Sequence, residues 1–288
     1  MSEHARVLEL IQEVSLDRHE PARVESWLAD HRAEVLAAVR ACDRDGLRGT
    51  GTRLAAAVWP AAGLLRDPGW WEDLAEAGEA LAIADRDPAM LVDLLHGGAA
   101  TFAEHGDRRR AEERWVRALA IVRRDGLRDR RRSQAVLSSL GALYRGWGRL
   151  SKALDAYLGL VDLRREVGDP VGTADALAEV GATMHAAGRL ASAMDYFDRA
   201  DREMSHAGAE PQLLPVHARI LVWCGRTRWE QGQHGAARRR WSRALALLVD
   251  VDEVAANRVR ALLATDPGSL PEFPYLSNTS SSPSGGVG

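Results

Sequence analysis

Nine histidines and two cysteines are the residues of this 288-residue chain best suited to metal or covalent chemistry. The histidines are His4, His19, His31, His96, His105, His185, His206, His217 and His234. No two of them stand at the i, i+4 spacing that puts two imidazoles on one helix face, and no cysteine pair accompanies them. No metal site and no cofactor is therefore expected. Cys42 and Cys224 are far apart, which argues against a disulfide framework and fits a reducing compartment. Cys224 falls at a packing position, where cysteine acts as a small hydrophobe, and no activating base can be named for it. Carboxylate pairs such as Glu112-Glu113 and Asp198 with Asp201 fit solvated helix faces better than acid–base work. The chain reads as non-enzymatic, with no catalytic residue.

Charge points to binding rather than catalysis. The net charge is −3, but residues 108–132 hold eleven arginines against four acids, a local +7 that leaves −10 on the remainder. Lys152 is the only lysine. Arg108, Arg109 and Arg110, then Arg130, Arg131 and Arg132, open predicted helices, where positive charge opposes the helix dipole. An anionic partner would relieve that: nucleic-acid phosphate, an acidic protein, or an acidic face of the same chain. Nucleic acid is the weaker of these, because no aromatic residues are interleaved for base stacking.

Positioning these residues falls to a repeat. A glycine is followed five residues later by an alanine, and four residues after that by a ring, in four sets. The sets are Gly106-Ala111-Trp115, Gly148-Ala153-Tyr157, Gly188-Ala193-Phe197 and Gly232-Ala237-Trp241. They recur every 40 to 44 residues, the mark of a stacked array. Each repeat reads as two helices joined by a glycine turn. In the third, Leu177, Val180, Gly181 and Met184 form one apolar helical stripe, Gly188 ends the helix, and Ala193, Phe197 and Ala200 continue on the next. Small residues at Gly181 and Ala193 bring the two backbones together, and Phe197 fills the space beside them. In the fourth repeat Arg228 stands where an aromatic is expected. With 46% hydrophobic residues, mostly Ala, Leu and Val, and only 6% aromatic, the composition is that of a helical protein.

Leu137-x2-Leu140-Gly141-x2-Tyr144 followed by Ala153-x3-Tyr157 resembles the tetratricopeptide repeat, with Leu in place of its Trp and Tyr in place of its Phe. The resemblance implies an all-α, right-handed superhelical solenoid of antiparallel helix pairs. The expected organisation is an N-terminal helical segment with degenerate capping repeats over 1–86, and four repeats over 87–252 (about 87–129, 130–169, 170–210 and 211–252). A capping helix follows over 253–265, then a Pro/Ser/Gly-rich disordered tail over 266–288. A second likeness runs from Trp27-x3-His31-Arg32-x2-Val35-Leu36-Ala37-Ala38-Val39 through Arg53-Leu54-Ala55-Ala56-Ala57-Val58-Trp59-Pro60. It is similar to the stretch that opens the helical-repeat region of actinobacterial antibiotic-regulatory proteins and related signalling ATPases, and it covers residues 27 to about 250. The sequence shows neither the G-x4-G-K-[ST] phosphate loop of their motor nor a winged-helix segment. What it resembles is the sensor or interaction half.

In such an array the first helix of each pair lines the concave surface. The stripe expected there comprises Asp93, His96, Ser138, Arg145, Asp175, His185, Arg219, Arg226 and Trp229, with Trp229 read as lying off the core stripe. Trp and Arg are common binding anchors. The expected function is a protein-interaction module that holds a peptide or protein segment in this groove, within a regulatory or signalling assembly. The alternative is a transcriptional regulator that senses a ligand or nucleic acid through residues 108–132. No membrane-spanning stretch and no secretory leader are seen, so a cytoplasmic location is expected. Partner identity and oligomeric state are left open.

Overall fold

The structure is a computed structural model that describes residues 21–124, 129–207 and 210–266. The tail expected to be disordered and the N-terminal residues before Pro21 lie outside the described residues. Among the described residues there are helices and no strands. They form two compact units, divided between Asp169 and Pro170, and Asp169-Pro170 is one of the junctions the repeat pattern marks.

The first unit contains α1 (Pro21–Arg44), α2 (Arg48–Ala62), α3 (Pro68–Ala84), α4 (Pro88–Glu104), α5 (Arg108–Arg124), α6 (Arg130–Gly146) and α7 (Leu150–Glu166). The second contains α8 (Pro170–Ala186), α9 (Leu190–Ala207), a 3-10 turn at Pro211–Leu213, α10 (Leu214–Glu230), α11 (His234–Leu248) and α12 (Glu253–Leu263). Aspartates start several of these helices. Asp67 accepts from the Trp70 amide at 3.1 Å, Asp87 from Met90 at 2.9 Å, Asp129 from Arg132 at 3.0 Å and Asp252 from Ala255 at 2.9 Å. Each satisfies an amide that the helix itself cannot, worth about 1 kcal/mol. Pro68 and Pro88 follow their caps at the first helical position, where a missing N–H costs nothing. Gly106, Gly148, Gly188 and Gly232, the leading glycines of the four sets, all have positive φ, between 72° and 86°. That left-handed turn ends the first helix of each pair, and a Cβ would strain it.

Helices pair as the spacing requires: α4 with α5, α6 with α7, α8 with α9, and α10 with α11. Most are 17 residues long, which accounts for a repeat longer than the usual tetratricopeptide step. Ala111, Ala153, Ala193 and Ala237 are fully buried, and the rings of Trp115, Tyr157, Phe197 and Trp241 are at most 4% exposed. A methyl group at Gly141 would lie 2.6 Å from the Tyr157 ring, and one at Gly181 2.7 Å from Phe197. Gly225 faces Trp241 in the same way. In the first repeat this slot holds Ala99, and the residue before it is Gly98 where the other repeats carry Leu140, Val180 and Cys224. The indole of Trp59, from α2, fills the room left by that missing side chain, 3.4 Å from where a Gly98 Cβ would sit.

The first helices also pack on one another, α2 on α4 and α4 on α6 in the first unit, and α8 on α10 in the second. The less regular helices follow the same logic: Val35 and Val39 of α1, Leu54 and Val58 of α2, and Trp71 and Leu74 of α3 are buried. At the end of the second unit, α12 packs Ala255, Ala256, Val259 and Leu262 into one cluster with Trp229 and Trp241.

Trp229 thus corrects the expectation that it lies off the core. It is 4% exposed, with its ring 5.3 Å from that of Trp241 and 4.3 Å from that of His234. The reason is helical register: Trp229 is four residues beyond Gly225 and shares its face. The ring missing at Arg228 is supplied one position later, while Arg228 turns to Gln233 and Asp198.

Candidate functional site

Between α2 and α4 lies a cavity of about 400 Å³. From α4 it takes Asp93, His96, Gly97, Ala100, Thr101 and Glu104, positions three or four apart that make one helical stripe. From α2 it takes Ala56 and Trp59, and from the turn just after it Gly63. Gly97 and Gly98 let Trp59 approach the backbone of α4, since a Cβ on Gly97 would stand 3.1 Å from the indole. Two of the residues expected in the groove, Asp93 and His96, are brought together here.

The electrostatics of the walls are specific. The Trp115 indole donates to His96 Nδ1 at 3.1 Å. An indole nitrogen is only ever a donor, so Nδ1 carries no proton and the imidazole N–H is at Nε2. Burial pushes the His96 pKa down, against the upward pull of Asp93, so the ring is neutral. Asp93 is held by a two-pronged bond from Arg132 of α6, at 2.7 and 2.6 Å. Arg132 also pairs with Asp129, the cap of its own helix. Glu104, exposed at the mouth, has no cationic partner among the described residues. Trp59 is 4% exposed, and its Nε1–H has no acceptor among the described residues.

The other expected groove residues, Ser138 apart, are engaged in internal contacts. Ser138 is half-buried on α6. Arg145 lies over the Tyr157 ring, 5.6 Å from its centre. In the second unit Arg219 of α10 bridges Asp175 and Glu179 of α8, the latter at 3.0 Å. His185 lies 2.9 Å from Glu230, its pKa lowered by burial against the pull of that carboxylate. Arg226 donates to Glu230 at 3.0 Å and lies over Trp223.

The arginine-rich stretch is largely answered from within the chain. Arg110 pairs with Glu72 at 2.9 Å, Arg109 with Glu113 at 2.8 Å, Arg130 with Glu166 at 3.9 Å, and Arg132 with Asp93. Arg114 and Arg117 both reach Glu79. Of the six arginines singled out, only Arg108 and Arg131 have no such partner among the described residues. An acidic face of the same chain was one of the three partners the sequence left open.

Sequence reasoning missed Trp59, Thr101 and Glu104 as cavity residues. The available signal was Gly97-Gly98, a glycine pair inside a helix at a position where the other repeats are bulky. Among the described residues no group of three His, Cys, Asp or Glu side chains is placed to hold a metal ion, and no helix is long and apolar enough to cross a membrane.

No family model matches the sequence, and no curated protein is matched by it. Solved structures are similar in fold. BtubC (BKLC) from P. vanneervenii superposes with a TM-score of 0.53 at 15% identity, over 95% of this chain and 97% of that one. A STAND signal-transduction ATPase with a tetratricopeptide repeat sensor, PH0952 from Pyrococcus horikoshii, superposes with a TM-score of 0.59 at 13% identity. The match covers 89% of this chain and 37% of that protein, so this chain spans little more than a third of its length. The fold is a tetratricopeptide-type helical solenoid. At these identities the likeness concerns the fold and not the partner.

Proposed function

We propose that this helical solenoid is a protein-interaction module that holds a peptide segment against its first helices, as part of a regulatory or signalling assembly. The observation that carries this is the cavity between α2 and α4, walled by neighbouring first helices and lined by polar groups that the chain leaves without partners. The Nε2–H of His96 is one such group, and a ligand carbonyl would give it an acceptor. The sensor role of the repeats in the Pyrococcus protein supports the regulatory setting. A non-catalytic role fits the buried Cys224, whose thiol is pushed up to about 12 by burial and stays protonated at neutral pH. The internal pairing of the arginine-rich stretch weighs against a nucleic-acid surface there.

The test is panning of a random-peptide phage library on the full chain, with selected peptides titrated by calorimetry against the native chain and Ala100→Phe. Ala100 lines the cavity, and a phenyl ring there fills it. Peptides that bind the native chain and are lost with Ala100→Phe support the proposal. Peptides that bind both equally, or no binders at all, overturn it.

A further inference from the structure

The charge around the α2–α4 cavity is one-sided. Two carboxylates, Asp93 and Glu104, line it, and among the described residues the only guanidinium brought to either is that of Arg132, on Asp93. The carboxylate of Glu104 has no counter-charge among the described residues. The two helices run parallel here, because Trp59 faces Gly97 while Gly63, one turn on, faces Thr101 and Glu104. The cavity therefore sits at the C-terminal halves of both, where helix dipoles end negative. His96 is neutral and adds no positive charge.

A second, independent feature points to a ligand. The Trp59 side chain lines the cavity and is more than nine-tenths buried, its Nε1–H out of reach of solvent and without an acceptor among the described residues. Beside it, His96 carries its proton at Nε2, because Nδ1 is already occupied by Trp115, and that N–H has no acceptor among the described residues. A cavity with an unanswered carboxylate at its mouth and an N–H donor on its wall matches a group that carries a cation at one end and a carbonyl at the other. A volume of about 400 Å³ lies at the low end for ligand pockets, room for one long side chain and its backbone.

We infer that the cavity receives a lysine or arginine of the bound peptide, its cationic end on Glu104 and its backbone carbonyl at the N–H of His96. This rests on the peptide-binding reading above and names the residue type that the site selects. A peptide whose pocket residue is acidic would face Glu104 and Asp93 across the cavity, and a wholly apolar one would leave Glu104 unanswered.

The experiment takes the peptides selected on the native chain and lost with Ala100→Phe. Each is resynthesised with norleucine at every Lys or Arg in turn, and titrated against the native chain and Glu104→Gln at two salt concentrations. One Lys or Arg position is expected to dominate, with norleucine there weakening binding about tenfold or more. Glu104→Gln is expected to give a similar loss for the native peptide and almost none for the norleucine peptide, because both changes remove the same ion pair. Cavity-dependent peptides that contain no Lys or Arg, or that bind Glu104→Gln as tightly as the native chain, overturn this inference while leaving the peptide-binding reading intact. Absence of any cavity-dependent peptide overturns the underlying reading instead.

Discussion

The indole of Trp115 donates to Nδ1 of His96, and this one bond ties the core of the first repeat to the wall of the cavity. Trp115 occupies the ring slot of its repeat, yet its nitrogen decides which imidazole nitrogen of His96 carries a proton. Replacing Trp115 by Phe removes the donor and opens the site. Both effects favour protonation of His96, so its pKa is expected to rise, read by nitrogen-resolved NMR of the imidazole. An unchanged His96 titration would contradict the assigned tautomer.

Acid is expected to destabilise the fold in two separate windows. His96 and His185 have pKa values lowered in the folded state, chiefly by burial, so the unfolded chain binds more protons than the folded one. Their contribution is present above the unfolded value of about 6.5 and is lost as pH falls below it. Asp201 behaves differently. Burial pushes its pKa up, but hydrogen bonds from His217 and Arg240 and the charge of Arg243 outweigh that and hold it at about 2. Its contribution persists until pH falls below about 4 and is lost on the way to about 2. Urea melts across this range check both, and His96→Gln is expected to flatten the upper window alone. A stability independent of pH between about 7 and about 5 would contradict the neutral, buried histidines.

Glycines that face a ring are expected to tolerate no side chain. Gly141→Ala and Gly181→Ala each set a methyl group against a buried ring and are expected to cost about 1–3 kcal/mol. Gly146, near the end of the same helix as Gly141, has open space around it. Gly146→Ala is expected to stabilise by about 0.4–1 kcal/mol, through the unfolded chain. Thermal melts that shift all three variants the same way would contradict the packing.

Carboxylates inside the stack carry more than those at its surface. Glu79 is 6% exposed and takes both Arg114 and Arg117. Glu79→Leu leaves two guanidinium groups without their acid and is expected to cost about 3–5 kcal/mol. Arg109→Ala breaks an exposed pair with Glu113 and is expected to cost about 0.5 kcal/mol or less. Chemical denaturation of the two variants side by side checks the contrast.

Helix pairing was readable because it is written locally. A turn glycine, a small residue and a ring at constant offsets leave few ways to pack. Trp229 was misplaced because Arg228 and Trp229 are adjacent, and which of them faces inward depends on neighbours from another helix. The cavity was hidden for a similar reason: Trp59 reaches the first repeat from the preceding helix pair, and nothing near it announces Gly97-Gly98 as its seat. The arginines were read as a surface because their acids are distant in sequence. The acid of Arg132 lies about one repeat earlier, 39 residues back at Asp93, and outside the stretch the same step joins Lys152 to Glu112, 40 residues, and Arg219 to Asp175, 44 residues. A base one period after an acid is a pattern that the repeat step itself makes legible.

Hydrogen–deuterium exchange of the full chain, alone and saturated with a peptide selected on it, tests the central claim most directly. Binding against the first helices is expected to slow exchange in the C-terminal halves of α2 and α4, around Trp59 and between Asp93 and Glu104. Protection confined to α3 and α5, or to the arginine-rich start of α6 with α2 and α4 unchanged, would contradict it.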